Sequence, residues 1–361
     1  ISGPPANPNA PLTKYPFGAV KYNNTFSVQA TQILFSGTFL VGLQAVKTYK
    51  ELSQRSLIRS KIETNVNVTK AYYQVLVSNE QIKLLDANIT QLKQQLDQTT
   101  QQNKQGFVEA IDVDRLSVQY NNLVTSRENI VRSLTLNYQM LKFQMGMPIY
   151  QQLTLKDKLE DINLDQKVVQ NTLDTSFYHN RVEYSLLETN IKLNQLNVKS
   201  KKAEYLPTFT ASGSYGGTYQ ENQFRYLYDR IYPSSYVGVN LSIPILNGGQ
   251  RSNQLKELKI NVQKAQNDLN DAKNAFSLQA SSANITYFNS TQSLTTQKRS
   301  QELAREVLRV SKIKYQQGVG SSIEVTQAET DLENTDNQYI QALYNVLISK
   351  VDLDKAYGRI Q

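Results

Sequence analysis

Apolar residues recur along this chain at two different periods. Over most of its length they are three and four residues apart; over three short stretches they alternate. Leu255, Leu258, Val262, Ala265, Leu269, Ala272 and Phe276 form a 3-4-3-4 seam, which predicts coiled-coil packing with a left-handed twist. Ile82, Leu85, Ile89, Leu92 and Leu96 form a second seam. Val113, Leu116, Tyr120, Leu123, Ile130, Leu134 and Leu141 form a third, and Val325, Ala328, Leu332, Ala342, Val346 and Leu353 a fourth. These seams predict long helices over about 37–105 and 248–317, return helices over about 109–146 and 321–357, and a further helix over about 177–205. At about 1.5 Å per residue each long helix spans roughly 100 Å. The alternating stretches are Phe26, Val28, Ala30; Phe209, Ala211, Gly213, Tyr215; and Val237, Val239, Leu241, Ile243. They predict strands over about 22–34, 208–218 and 236–245, with a loop over 219–235.

Two architectures fit the strands. One is a soluble antiparallel hairpin. The other is a set of tilted membrane strands of about ten residues, apolar outward and small and polar inward. Tyrosines at 215, 219, 226, 228, 232 and 236 flank them as an interfacial girdle would, Tyr215, Tyr219 and Tyr236 being the ones assigned to the membrane interface. Three strands cannot close a barrel, so the membrane reading requires several copies of the chain.

The pattern is doubled. Phe35-Ser36-Gly37 and Leu246-Asn247-Gly248 each open a long helix. Gly106 precedes Ile111-Asp112-Val113, Gly318 precedes Ile323-Glu324-Val325, and both these glycines and the pair Gly146 and Gly358 are 212 residues apart. This self-similarity predicts a first repeat over 1–148, a connecting segment over 149–175 and a second repeat over 176–361. The helix at 177–205 and the strand at 208–218 have no counterpart in the first half. The expectation is therefore a further helix and strand, roughly 50–70 residues, ahead of residue 1, which would give four strands per protomer.

Composition narrows the function classes. Five of the nine prolines lie in the first sixteen residues and there are 15 glycines, which leaves long breaker-free stretches. No cysteine is present, so disulfides and thiolate metal sites are excluded. The single histidine, His179, excludes paired-imidazole metal sites. The net charge of +8 is dispersed among Gln, Asn and Thr, with no basic run suited to nucleic acid. Gly318-Val319-Gly320 joins two helices and lacks a following lysine, so it is no nucleotide loop. No nucleophile–base pairing is visible, and no run of apolar residues suffices for a transmembrane helix. No catalytic activity, cofactor or metal is expected.

With these residues in place the chain resembles the TolC-like outer-membrane efflux factor family. The resemblance rests on Tyr205-Leu206-Pro207-Thr208-Phe209 leading a helix into a strand, and on Ile243-Pro244-Ile245-Leu246-Asn247-Gly248-Gly249 leading a strand into the long helix. Gln32-Ile33-Leu34-Phe35-Ser36-Gly37 does the same in the first half. Tyr315-Gln316-Gln317-Gly318 followed by Ser322-Ile323-Glu324-Val325 is similar to the family's periplasmic turn. The resemblance implies an α+β membrane protein in the outer membrane of a Gram-negative bacterium. It would be a homotrimer whose twelve-stranded transmembrane β-barrel, four strands per protomer, continues into a long α-helical coiled-coil barrel reaching into the periplasm. Segment 149–175 would be equatorial. The implied function is a passive exit duct of a tripartite efflux or type I secretion system, working with a periplasmic adaptor (membrane fusion protein) and an inner-membrane transporter, in contact with outer-membrane lipid. The competing expectation is a coiled-coil structural or periplasmic adaptor protein.

The resemblance also implies roles for single residues. Asp112 and Glu324 would ring the periplasmic aperture, where six carboxylates favour cations; first-turn acids of helices are an equally good account of both. Tyr315 would take part in the closed constriction. Gly106, Phe107 and Val108 with Gly318, Val319 and Gly320 would form the helix-turn tips and dock the adaptor; a plain helix cap also explains the two tip glycines. Gly320 stands where the family often has an arginine of the closing lock, and Gln327 where it has a further acid. Arg115 and Asp114 are candidate substitutes.

Overall fold

The computed structural model describes residues 20–157, 159 and 177–360. The Pro-rich stretch before residue 20 and most of the segment expected to be equatorial lie outside the described residues. Eight main elements follow in the order β1 (Tyr22–Phe35), α1 (Gly37–Lys104), α2 (Ala110–Gln144), α3 (Val182–Ala203), β2 (Thr208–Glu221), β3 (Ile231–Ser242), α4 (Gln250–Gln316) and α5 (Ser322–Ala356). The described chain is helical-dominant α+β. It divides into two compact units, residues 1–48 with 192–262 and residues 49–191 with 263–361.

The first unit is built on one antiparallel sheet ordered β1-β2-β3. Its register sorts the side chains by chemistry. Phe26, Val28 and Ala30 pair with Gly217, Tyr215 and Gly213, and these pair in turn with Pro233, Ser235 and Val237. Ser27, Gln29 and Thr31 pair with Gly216, Ser214 and Ser212 on the opposite face. Neither face of β1 or β3 is packed on a core: Val28 is 73% exposed and Val237 90%. The strands β2 and β3 reach further toward each other than the alternation predicts, so that the expected loop 219–235 shrinks to 222–230. Pro233 obscures this in the sequence. It lies within β3, where the lack of an N–H is tolerated because β3 is an edge strand of this sheet. Below the sheet, Ser36 caps α1, its hydroxyl accepting from the Phe39 N–H at 3.3 Å. Lys199 of α3 donates to Gln44 of α1 at 2.8 Å.

The second unit is helical and its core follows the seams. Leu85 and Leu92 of α1 pack on Leu116 and Leu123 of α2, with Ile89, Leu96, Tyr120 and Ile130 around them. Leu308 of α4 packs on Val325, Ala328 and Leu332 of α5. Farther along α5, Ile340 and Leu347 meet Val77 of α1, and Val346 and Leu353 meet Tyr287 of α4. The helix expected over 177–205 begins later, because Phe177–Asn180 is a 3-10 turn and α3 starts at Val182. Arg181 stops the continuation. It is buried, stacks on Phe276 at 4.2 Å, and donates to Gln279 at 2.8 Å and to Glu183. The described end of the connecting segment is fastened to the helices: Tyr72 of α1 donates to Asp157, and Lys142 donates to the Ile149 carbonyl at 3.0 Å. Burial, then Asp157, push the Tyr72 hydroxyl up to about 12.

All four long helices end alike. Gly106, Gly146, Gly318 and Gly358 have φ between 66° and 80°. At the first, the Phe107 N–H returns to the Gln102 carbonyl and the Gly106 N–H to Asn103; at the third, Val319 returns to Lys314 and Gly318 to Tyr315. This paired closure satisfies carbonyls that would otherwise be orphaned, and it needs a left-handed residue that L side chains resist. Two substitutions test the two kinds of constraint in denaturant unfolding of the detergent-solubilised protein. Leu353→Ala, in the fully buried α4–α5 seam, is expected to cost about 2–5 kcal/mol. Gly318→Ala is expected to cost about 1–2 kcal/mol through backbone strain alone.

Candidate functional site at the helix-turn tips

The turns α1–α2 and α4–α5 lie together in the helical unit. Each follows from its sequence. Asn103 donates to the Val108 carbonyl at 2.8 Å and holds the first turn. Ser321 caps α5, accepting from the Glu324 N–H at 3.2 Å. The spacing Ser321-Ser322-Ile323-Glu324 is the S-x-x-E signature of such a cap.

Asp112 and Glu324 occupy the third position of α2 and of α5. Their surroundings differ. The Asp112 carboxylate is largely enclosed and accepts from the Ser322 hydroxyl of α5, with Arg115 Nη1 at 3.5 Å on its other side. One hydrogen bond thus ties the first hairpin to the second. Glu324 is exposed. Tyr315, in the last turn of α4, has an enclosed hydroxyl with no hydrogen-bond partner. Burial first, and then the nearby Asp112 charge, raise its value. Arg115 pairs within its own helix, not across the tip, and Asp114 is exposed, so neither forms a cross-hairpin lock in this protomer. Gln327 donates to Asp331, also within one helix.

Gly320 has a local reason to be glycine. Its N–H donates to the Lys314 carbonyl, and a Cβ there would stand 2.9 Å from Lys314 Cβ and 3.0 Å from the Tyr315 nitrogen. No arginine fits this position without moving the end of α4. Ser322, which supplies the cross-hairpin bond instead, carries no signal of its own in the sequence, because a serine in a first helical turn is ordinary.

The tip presents an apolar crown. Phe107 and Val319 are each 77% exposed, and Ile111 and Ile323 lie beside them, also exposed; Val108 is half-buried. A groove of about 620 Å³ runs alongside, lined by Gln94, Gln98, Gln102, Phe107, Tyr315 and Gly320 among others.

The tyrosines assigned to a membrane interface separate by face. Tyr215 pairs with Val28 on the apolar face and is exposed. Tyr219 shares that face, its ring 6.2 Å from Phe26 and 5.1 Å from Tyr228. Tyr236 pairs with Ser214 on the polar face, where its hydroxyl accepts from Gln29 at 3.4 Å. Its parity in β3, odd against Val237, already carried that placement. Among the described residues no helix is long and apolar enough to cross a membrane, and no cluster of three or more metal-ligating side chains occurs.

Comparison with known proteins was made on this basis. The family described as outer membrane efflux protein matches residues 185–359. The outer membrane protein TolC of Salmonella enteritidis is 24% identical over 355 residues, covering 92% of this chain and 69% of the relative. TolC of Escherichia coli K12 is 26% identical over 341 residues, covering 88% and 64%. The chain thus spans about two thirds of the length of these relatives. The crystal structure of the outer membrane protein VceC from Vibrio cholerae has the same fold, with a TM-score of 0.71 at 13% identity over 94% of this chain and 87% of that one. The two lines agree: the chain is similar to TolC-like outer membrane efflux proteins, its residues 185–359 matching that family and its fold being that of VceC.

Proposed function

We propose that this chain is one protomer of a trimeric duct that carries cargo out through the outer membrane. Similarity to outer membrane efflux proteins supports a place in the outer membrane and a channel of the efflux or secretion type. The finer reading rests on one observation above all: a three-stranded sheet with an uncovered apolar face and two edges unpaired within the described chain. In water such a sheet would seek a core; in lipid its apolar face is satisfied and its edges must pair with other copies.

The strand directions support more than three strands per protomer. With β1 and β3 both antiparallel to β2, they run parallel to each other. Direct β3–β1 contact between copies would be a parallel pairing, which membrane barrels of this class avoid. A fourth strand per protomer removes it and gives twelve in a trimer. The matched helix-end glycines 212 residues apart support two repeats, and 149–175 would be the equatorial segment joining them.

At the tips, Asp112 and Ser322 would hold the two hairpins together in the closed duct, with Tyr315 stacked beside them. Glu324, exposed, would face the bore. The crown of Phe107, Val108, Val319 and Ile323, with Gly106, Gly318 and Gly320 shaping its turns, would dock a periplasmic adaptor that links the duct to an inner-membrane transporter.

Three measurements test this. The protein purified in detergent should run as a trimer and lose solubility when detergent is removed; a monodisperse water-soluble monomer would overturn the reading. In planar bilayers, Ser322→Ala and Asp112→Ala should each raise conductance by about two-fold or more, and Glu324→Ala should lower cation preference without doing so. A photo-crosslinker at Val319 should capture the adaptor, and one at the exposed Lys259 on α4 should not.

A further inference from the structure

The α5 seam is interrupted. Between Leu332 and Ile340 the position facing its neighbours is Asp336, only 6% exposed. It is held from two helices at once: Gln301 of α4, itself buried, donates to Asp336 Oδ1 at 2.6 Å, and Asn88 of α1 donates to Oδ2 at 3.0 Å. Arg305 of α4 stands 3.8 Å away. Glu333 and Glu329 precede it on the same side of α5. The Glu329 side chain is 8% exposed; Lys312 Nζ sits 2.9 Å from Oε1, while Oε2 is enclosed and has no partner. Glu329, Glu333 and Lys312 border a cavity of about 20 Å³ at which all four helices meet, with Asn88 and Gln91 from α1 and Gln119 from α2. Gln119 Oε1 is likewise enclosed without a partner.

Three carboxylates therefore share one face of α5. Two cations, Lys312 and Arg305, stand opposite on α4. α1 and α2 contribute neutral amides to the cavity. Their nearby charges are committed elsewhere: Asp86 of α1 is taken up by Arg127 of α2, and Glu80 acts on Tyr339. A buried polar set of this kind costs stability relative to apolar packing and is retained where it fixes register or switches.

We propose that this set is a proton-responsive joint between the two helix hairpins: uptake of a proton by the Glu329–Glu333 pair tightens the packing of α5 on α1, α2 and α4, and its release loosens it. The chemistry is balanced by solvent alone, the proton passing between water and a carboxylate oxygen. Protonation gives Glu329 a donor and removes the repulsion between Glu333 and Asp336. The same geometry raises both carboxyls, Glu329 by burial against the opposing pull of Lys312, and Glu333 by burial and then the Asp336 charge. A carboxyl raised on folding binds its proton more tightly in the packed joint than in the opened one. Its contribution is fully present in acid and is lost as pH rises from the ordinary carboxyl range through the raised value.

Amide hydrogen exchange of the full chain in detergent tests this, with rates corrected for their intrinsic pH dependence. Protection of residues 325–340 and 84–95 should fall by about tenfold between about pH 5 and pH 8 in the unsubstituted protein. Glu329→Gln/Glu333→Gln, a permanently neutral pair, should reduce that change to less than about two-fold, and Asp336→Asn, which removes the charge facing Glu333 but leaves both glutamates buried, should reduce it only in part. An unsubstituted protein with flat protection, a neutral pair that keeps the full response, or loss of the response in Asp336→Asn would each overturn the proposal. If the double variant does not fold, Glu333→Gln alone decides: the response should at least halve, and an unchanged one rejects the joint. The readout is local opening, so it stands or falls apart from whether the protein conducts.

Discussion

A β-sheet needs something against its apolar face and something along its edges, and the sheet of this chain finds neither within the described residues. Every backbone N–H and C=O left on β1 and β3 is a group that costs several kcal/mol if carried into hydrocarbon unpaired. Val28, Val237 and Val239 turn one side into a surface that water would drive into association. In the proposed duct the demand is met from outside the described residues, by lipid on the face and by further strands at the edges. Oligomerisation of such a duct would be a requirement of hydrogen bonding before it is a matter of function.

The helical unit meets the opposite problem. Its helices are long and mostly polar, and their apolar seams are narrow. Leu85, Leu92, Leu116 and Leu123 form one cluster, and Leu308, Val325, Ala328 and Leu332 another, on different helix pairs. Contact between the pairs is mixed: Val77 of α1 packs on Ile340 and Leu347 of α5, while hydrogen bonds join Asp112 to Ser322 at the tip and Asp336 to Asn88 farther along. Toward the tip, apolar seams hold each hairpin together and hydrogen bonds join hairpin to hairpin. Such a division lets hairpins shift as units, because a few hydrogen bonds are exchanged with water at small net cost, whereas a seam of leucines is not.

The elements were legible because they rest on periodicity, which burial enforces residue by residue. The seam in α4 and the alternation in β1 and β2 could be read directly. What escaped was set by partners distant in sequence. The true extent of β3 was masked by Pro233, which only an edge strand tolerates. Arg181, ending the 3-10 turn ahead of α3, takes its role from Phe276 and Gln279, nearly a hundred residues away. Tyr236 stands near Tyr215 in the sheet but has the opposite parity, and the alternation alone places it on the polar face. At the tip, Asp112 was visible as a first-turn acid, whereas its partner Ser322 had no pattern to betray it.

Gly320 shows how one local constraint redirects a site. The α4–α5 turn closes so tightly that the backbone of Lys314 and Tyr315 occupies the space where a side chain at 320 would begin. A long cation anchored there is sterically excluded, so any tie between the hairpins must start elsewhere. The next free positions are those of the first turn of α5, where Ser321 is already committed to capping the helix. Ser322 is the first residue with both an available hydroxyl and a direction toward α2, and it meets Asp112. Replacing a charged lock with a hydroxyl–carboxylate bond exchanges a strong, salt-sensitive interaction for a weaker one that depends on orientation. The residual negative charge of Asp112, shared with Arg115, then stays beside the Tyr315 hydroxyl and is not cancelled across the tip.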